Sequence, residues 1–193
     1  MKLKTRNSKL ILASASPRRA ELLRNAGIAF SAQATDVPER RRRGESPGKF
    51  AERLAREKAR AIRARRPRSL VLGADTIVVI GDRVLGKPRD RRDARRMLRL
   101  LSGRTHRVTT AVCLAGPGVE DARSETTRVT MRKLSEKEIR DYVASGEPTD
   151  KAGAYAIQGL ASRFVSRIEG CYFNVVGLPV PLVYRMLRAR GCL

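Results

Sequence analysis

The residues best suited to chemistry fall in three short stretches. Ser14-Ala15-Ser16-Pro17-Arg18-Arg19 closes an apolar run that begins at Lys9. Ser16 is placed as an N-cap and Pro17 as the first helical residue, so a helix start with its positive dipole end follows directly on a strand. Such a start binds phosphate readily, and two arginines in a first turn where acids are usual also favour an anion. A capped helix with solvated arginines fits the pattern equally. Neither the GxxxxGK[ST] loop nor the GxGxxG fingerprint of nucleotide binding occurs in the chain.

The second stretch is Gly73-Ala74-Asp75-Thr76, followed by Gly86-Lys87-Pro88. Between them, Gly81-Asp82 separates two β-type runs, and glycine at the first loop position suits a two-residue type II′ turn. That register pairs Ile80 with Arg83, Val78 with Leu85 and Thr76 with Lys87, which sets Asp75 and Thr76 beside Lys87 at the open end. A carboxylate, a hydroxyl and a lysine are parts for metal and triphosphate binding. The third feature is Lys58. With successive residues about 100° apart and Phe50 at zero, Lys58 falls at about 80°, inside the arc formed by Ala61, Leu54, Ala51, Ile62 and Ala55. An inward lysine needs a partner, so Lys58 is a candidate phosphate ligand. Arg53, Arg56, Arg60 and Arg63 gather on the opposite, solvated face. A second carboxylate for a hard cation could come from Asp36 or Glu39, and the lone His106, between Arg104 and Arg107, reads as structural.

The elements that would carry these residues alternate between strand and helix. Strands are expected over Lys9 to Ser14, Phe30 to Ala34, Leu70 to Ile80, Arg83 to Leu85, Thr105 to Leu114, Thr126 to Met131 and Phe164 to Ile168. Helices are expected over Pro17 to Ala26, Pro47 to about Arg66, Asp90 to Leu101, Ser135 to about Ala144 and Pro181 to Arg190, with Ser135 and Glu138 forming a capping box. Asp36 to Pro47 and Gly146 to Gly159 read as loops. The class is mixed α/β, with no repeat and no interdomain linker.

Length and composition narrow the possibilities further. A chain of 193 residues can bury a self-sufficient core. It has no long apolar run and no signal-like N-terminus, which predicts a cytosolic protein without a membrane span. Cys113, Cys171 and Cys192 lack zinc or disulfide spacing. The net charge of +23 comes from 42 basic residues, 33 of them arginine, against 19 acidic ones, and it raises a nucleic-acid-binding or regulatory protein as the rival reading. Only 4% of residues are aromatic and tryptophan is missing, which leaves few platforms for stacking bases and counts against that rival.

The motifs SASPRR (Ser14 to Arg19), LAREKA (Leu54 to Ala59), GADT (Gly73 to Thr76), GKPRD (Gly86 to Asp90), LSGRTH (Leu101 to His106), DKAGAYAIQG (Asp150 to Gly159) and VVGLP (Val175 to Pro179) occur in this order. In these the chain resembles the Maf family of nucleoside triphosphate pyrophosphatases from Leu10 to about Leu187. The resemblance implies a single domain over 1–193, with an elongated mixed sheet flanked by helices and two lobes around a cleft, related to the inosine triphosphate pyrophosphatases. It also implies a homodimer that hydrolyses a nucleoside triphosphate to the monophosphate and pyrophosphate with Mg²⁺ or Mn²⁺. Carried over by motif, Asp75 is the proton acceptor and a metal ligand, Glu39 the second acidic ligand, and Lys58 and Lys87 the phosphate contacts. Ser14, Arg18 and Arg19 would hold the triphosphate. The segment Tyr155 to Gly159 resembles the branch acting on dTTP and UTP, with Arg18, Thr76 and Gln158 as specificity positions. Ala156 stands where that branch often has glycine, and the branch acting on 7-methyl-GTP carries an acidic sequence in this segment.

Overall fold

The buried apolar run Leu10–Ala13 forms the first strand, β1, and both of its edges are paired. In the computed structural model, which describes residues 10–193, β1 lies parallel to β2 (Phe30–Ala32) and to β3 (Leu70–Ile80), with Leu12 opposite Ala32 and Leu72. Lys9, expected to open this strand, and the basic segment before it lie outside the described residues. Parallel neighbours need crossovers, and α1 (Pro17–Asn25) and α2 (Pro47–Arg63) supply them. The remaining strands are β4 (Arg83–Leu85), β5 (Thr105–Gly116), β6 (Val119–Met131) and β7 (Val165–Glu169). Together they form a seven-stranded mixed sheet in the order β2-β1-β3-β5-β6-β7, with β4 paired to β3. Four further helices are α3 (Arg91–Leu101), α4 (Glu136–Ala144), α5 (Tyr172–Val176) and α6 (Val180–Arg188). The mixed α/β class expected from the sequence is what the chain adopts.

The chain divides into two compact units. One contains residues up to Asp75, Thr110–Glu125 and Gly177–Leu193, and the other contains Thr76–Thr109 and Thr126–Val176. In the first unit, α2 turns Phe50, Ala51, Leu54, Ala55, Lys58, Ala59 and Ile62 inward. Its Ser46 cap accepts a hydrogen bond from the Lys49 amide at 3.4 Å. Gly73 of β3 sits so close beneath this helix that a Cβ there would overlap the Ala55 carbonyl and crowd the Ala59 amide. Small residues on both sides of the contact therefore set the depth at which α2 rests on the strand.

In the second unit, the β3–β4 hairpin turns at Gly81, whose φ is +56°, and pairs Ile80 with Arg83, Val79 with Val84 and Val78 with Leu85. The expected register is present, but the ladder stops there. It does not extend to Thr76 opposite Lys87, because the chain leaves the hairpin at Gly86, whose carbonyl accepts from the Gly153 amide at 3.0 Å. Pro88 follows and has no N–H to extend a ladder. Asp90 caps α3 through the Asp93 amide at 2.7 Å, and Ser135 and Glu138 form the expected capping box of α4, which packs on α3.

Two elements differ from the sequence reading. β6 begins at Val119 rather than Thr126, straight after a turn with Gly118 at φ +70°. Its first residues, Val-Glu-Asp-Ala-Arg-Ser-Glu, have weak strand propensity, and cross-strand pairing overrides it. Helix α5, in a segment to which the sequence assigned no element, is a single short turn ending at Val176.

The close contact at Gly73 makes a direct prediction. Gly73→Ala should lower unfolding stability in urea by about 3 kcal/mol, since the added methyl meets backbone that cannot move aside without lifting α2. Gly48→Ala, whose new methyl would meet nothing within 4 Å, is the matched control on the same helix.

Candidate active site

The depth of α2 on β3 determines where Lys58 ends. Lys58 is about one helical turn after Ala55 and immediately precedes Ala59 on the buried face, and Asp75 lies two residues beyond Gly73 on the same face of the strand. Lys58 is buried, and its Nζ donates to Asp75 Oδ1 at 2.6 Å and to Glu39 Oε1 at 2.6 Å. One ammonium thus holds two carboxylates from different segments, the middle of a buried strand and an exposed loop. Burial raises the Asp75 pKa above its usual value, an effect that the Lys58 charge opposes. The side chain is therefore a stronger base than an exposed aspartate, while its ionised form still has a counter-charge beside it.

Beside this cluster lies the start of α1. Ser16 occupies the N-cap position, but its side chain accepts no capping bond. The Ser16 amide instead donates to Ser14 Oγ at 3.2 Å. Arg18 is half-buried. Arg19 is buried, and it donates from Nε to the Gly177 carbonyl at 2.8 Å and from Nη1 to the Ala74 carbonyl at 2.9 Å and Ser14 Oγ at 3.2 Å. Desolvation lowers its pKa, and the charges of Asp75 and Glu39 oppose that. Arg19 therefore ties the SASPRR segment to the backbone next to Asp75, a structural role that its sequence position did not reveal. Ser14, Arg18, Arg19, Glu39, Lys58 and Asp75 all belong to the first unit.

Thr76, Lys87 and Gln158 belong to the second unit. Lys87 and Gln158 are exposed and Thr76 is half-buried. Lys87 directly follows the Gly86 carbonyl that receives the Gly153 amide, so the hairpin and the DKAGAYAIQG segment are hydrogen-bonded to each other. His106 is buried, with Nε2 at 2.8 Å from the Tyr155 hydroxyl. Its ring meets the tyrosine edge-on, with centroids 5.4 Å apart. Burial pushes the histidine down to about 4, so at neutral pH it is an uncharged packing and hydrogen-bonding group, as its sequence context suggested.

The arginines of the outer face of α2 are not simply solvated. Arg53 bonds Glu45 at 2.7 Å and Glu57 at 3.1 Å, while Arg56 and Arg60 both reach Glu120 of β6, at 3.1 Å and 2.7 Å. The Arg53 guanidinium holds the Glu45 carboxyl down at about 2. On this face most of the positive charge is already neutralised by protein carboxylates, which weakens the case for a nucleic-acid surface there.

Comparison with known proteins defines first the fold and then the family. The Ham1 protein of Staphylococcus aureus superposes with a TM-score of 0.53 over 94% of this chain and 98% of that one, at 13% identity, so the two share a fold. A family model described as Maf-like protein matches residues 9–190, and the chain belongs to that family. A Koribacter versatilis protein named dTTP/UTP pyrophosphatase is 60% identical over 184 residues, covering 95% of each chain. A protein of the same name from Syntrophomonas wolfei is 54% identical over 182 residues, covering 93% of this chain and 96% of its own.

Two measurements test this geometry. Lys58→Met should destabilise the protein by about 3–5 kcal/mol at neutral pH by leaving a buried carboxylate without its counter-charge. The deficit should shrink on acidification, because protonated Asp75 needs no cation, and urea unfolding of both proteins at pH 7 and pH 4.5 reads the difference. For His106, the folded chain binds the proton more weakly than the unfolded chain. Its contribution is complete above pH 6.5 and is lost as pH falls towards about 4. The loss amounts to roughly 3 kcal/mol, and His106→Gln should flatten that part of the stability profile.

Proposed function

We propose that this chain hydrolyses dTTP and UTP between the α and β phosphates, releasing the nucleoside monophosphate and pyrophosphate. The family and the shared name of its relatives support the reaction class. The observation that carries the assignment to residues is the Lys58 ammonium 2.6 Å from both Asp75 and Glu39, beside a helix start that carries arginines. In this reading Asp75 takes the proton of a water that attacks the α-phosphorus, a role that its raised pKa suits. Lys58 is the phosphate contact of this cluster and offsets charge that grows on the departing pyrophosphate, as cations at phosphoryl-transfer centres do.

Asp75 and Glu39 also fit a hard divalent cation such as Mg²⁺ or Mn²⁺, which accepts one or two protein carboxylates and takes its other ligands from water and phosphate. When bound, the ion would screen phosphate charge and acidify water. In this reading Ser14, Arg18 and Arg19 hold the triphosphate, Lys87 makes a further phosphate contact, and Thr76 and Gln158 join Arg18 in choosing the base. The exposed Gln158 amide offers both a donor and an acceptor to the O4 and N3–H edge of uracil or thymine. The same family resemblance supports a homodimer working in the cytoplasm. No helix among the described residues is long and apolar enough to cross a membrane.

Asp75→Asn should lower kcat for dTTP by about 10²–10⁴-fold, with an unchanged far-ultraviolet circular dichroism spectrum, because the amide keeps the shape but cannot take the proton. Pyrophosphate release from dTTP, UTP, CTP and 7-methyl-GTP measures it, and turnover of dTTP at the normal rate by the variant would remove Asp75 from the mechanism.

A further inference from the structure

Gln158 is exposed on a short turn, and a glutamine amide can rotate to present either its oxygen or its nitrogen to a base. It can distinguish a uracil edge from a cytosine edge only if the backbone beneath it is fixed. The bonds that fix this backbone converge on one side chain. Glu147, which opens a short 3₁₀ turn (Glu147–Asp150), accepts from the Leu160 amide at 2.8 Å through Oε2 and from the Ala161 amide at 3.4 Å through Oε1. Its Oε1 also accepts from the Tyr142 hydroxyl at 2.9 Å, and that hydroxyl in turn accepts from the Ala156 amide at 3.4 Å. The turn carrying Gln158 is therefore held two residues before it and two and three residues after it by one carboxylate and the phenol it orients.

The surrounding residues fit this arrangement. Glu147 lies directly over Gly159, where a Cβ would run into its carboxylate, so glycine next to Gln158 is a condition of the contact. Tyr142 is completely buried, with its ring against Phe164 at 5.3 Å, so the hydroxyl has little freedom to move. At the other end of the segment, the Gly153 amide is held by the Gly86 carbonyl, Ala154 takes φ +61°, and Tyr155 is fixed by His106. A non-glycine residue in the left-handed region persists only when its surroundings over-determine it.

We infer that Glu147, acting with Tyr142, is a positioning residue for pyrimidine selectivity: it fixes the turn from which Gln158 reads the base. It touches no substrate and acts through the backbone of residues 156–161. The inference rests on the proposed role of Gln158. Glu147→Gln preserves volume, but the amide has one acceptor oxygen and presents N–H groups towards donors that a carboxylate would satisfy.

The test is the ratio of kcat/KM for UTP to kcat/KM for CTP, measured with Mg²⁺ for the wild type, Glu147→Gln, Tyr142→Phe, Gln158→Ala and the Glu147→Gln/Gln158→Ala double variant. A change that merely destabilises the fold lowers both rates together and leaves this ratio alone. Glu147→Gln should reduce the ratio roughly tenfold or more, Tyr142→Phe should reduce it less, and the double variant should match Gln158→Ala alone. If Gln158→Ala abolishes the preference while Glu147→Gln and Tyr142→Phe keep the wild-type ratio, the positioning role is wrong and the reading of Gln158 stands. If Gln158→Ala itself keeps the wild-type ratio, the reading of Gln158 is wrong and the positioning role falls with it. Should Glu147→Gln fail to fold, Tyr142→Phe decides between the same outcomes.

Discussion

The first unit is organised around a lysine ammonium that a helix carries below its own surface to meet an aspartate. Desolvating Lys58 and Asp75 is costly, and the pair is tolerable only because each supplies the other's counter-charge at 2.6 Å and Glu39 adds a third charge from the loop. That distance depends on apolar packing rather than on the charges themselves. Ala55 and Ala59 on the helix and Gly73 on the strand let two backbones approach so closely that a single extra methyl would intrude. Arg19 then bonds the Ala74 carbonyl, one residue before Asp75, and the Gly177 carbonyl, so the middle of the strand is held from a second direction. Packing, backbone hydrogen bonding and charge thus fix the same few atoms.

The second unit is built on other means. It contains few buried charges and uses neutral or singly charged hydrogen-bond nodes, among them His106 with Tyr155, Asn174 with the Val108 carbonyl and Thr127, and Glu147 with three donors. Of these, Glu147 fixes irregular backbone directly, through the Leu160 and Ala161 amides. The segment from Gly146 to Gly159 has little regular structure to hold it, and its shape follows from what accepts its amides.

The features legible in the sequence were those that depend on periodicity or on turn chemistry. Lys58 is visible because one cation breaks an otherwise apolar helical stripe, and the register of the hairpin is visible because Gly81-Asp82 admits few turn types. The seven motifs identified the family and with it the fold. What stayed hidden depended on contacts between segments distant in sequence. The start of β6 carries a polar run that only its strand neighbours make extended. The pairing of Thr76 with Lys87 continued a ladder that Gly86 leaves for Gly153, 67 residues further on. Arg19 looks like any arginine in a first helical turn until Gly177 and Ala74 are placed around it, and nothing in Ser-Gly-Glu-Pro marks Glu147 as an acceptor for amides 13 and 14 residues away.

The pairing on the outer face of α2 has a bearing on how this chain tolerates change. With 42 basic residues and 19 acidic ones, carboxylates are the limiting partner, and several serve two cations at once. Glu120 binds both Arg56 and Arg60, and Glu57 binds both Arg42 and Arg53. Losing one such arginine leaves its acid with another cation, whereas losing Glu120 removes the shared partner of Arg56 and Arg60 in an already positive field, and Arg53, which also bonds Glu45, keeps an acid when Glu57 is lost. Sequence drift should therefore run freely through the arginines of this surface and slowly through its few glutamates, so that an ordinary-looking acid on this protein is a more constrained position than the conspicuous basic runs around it.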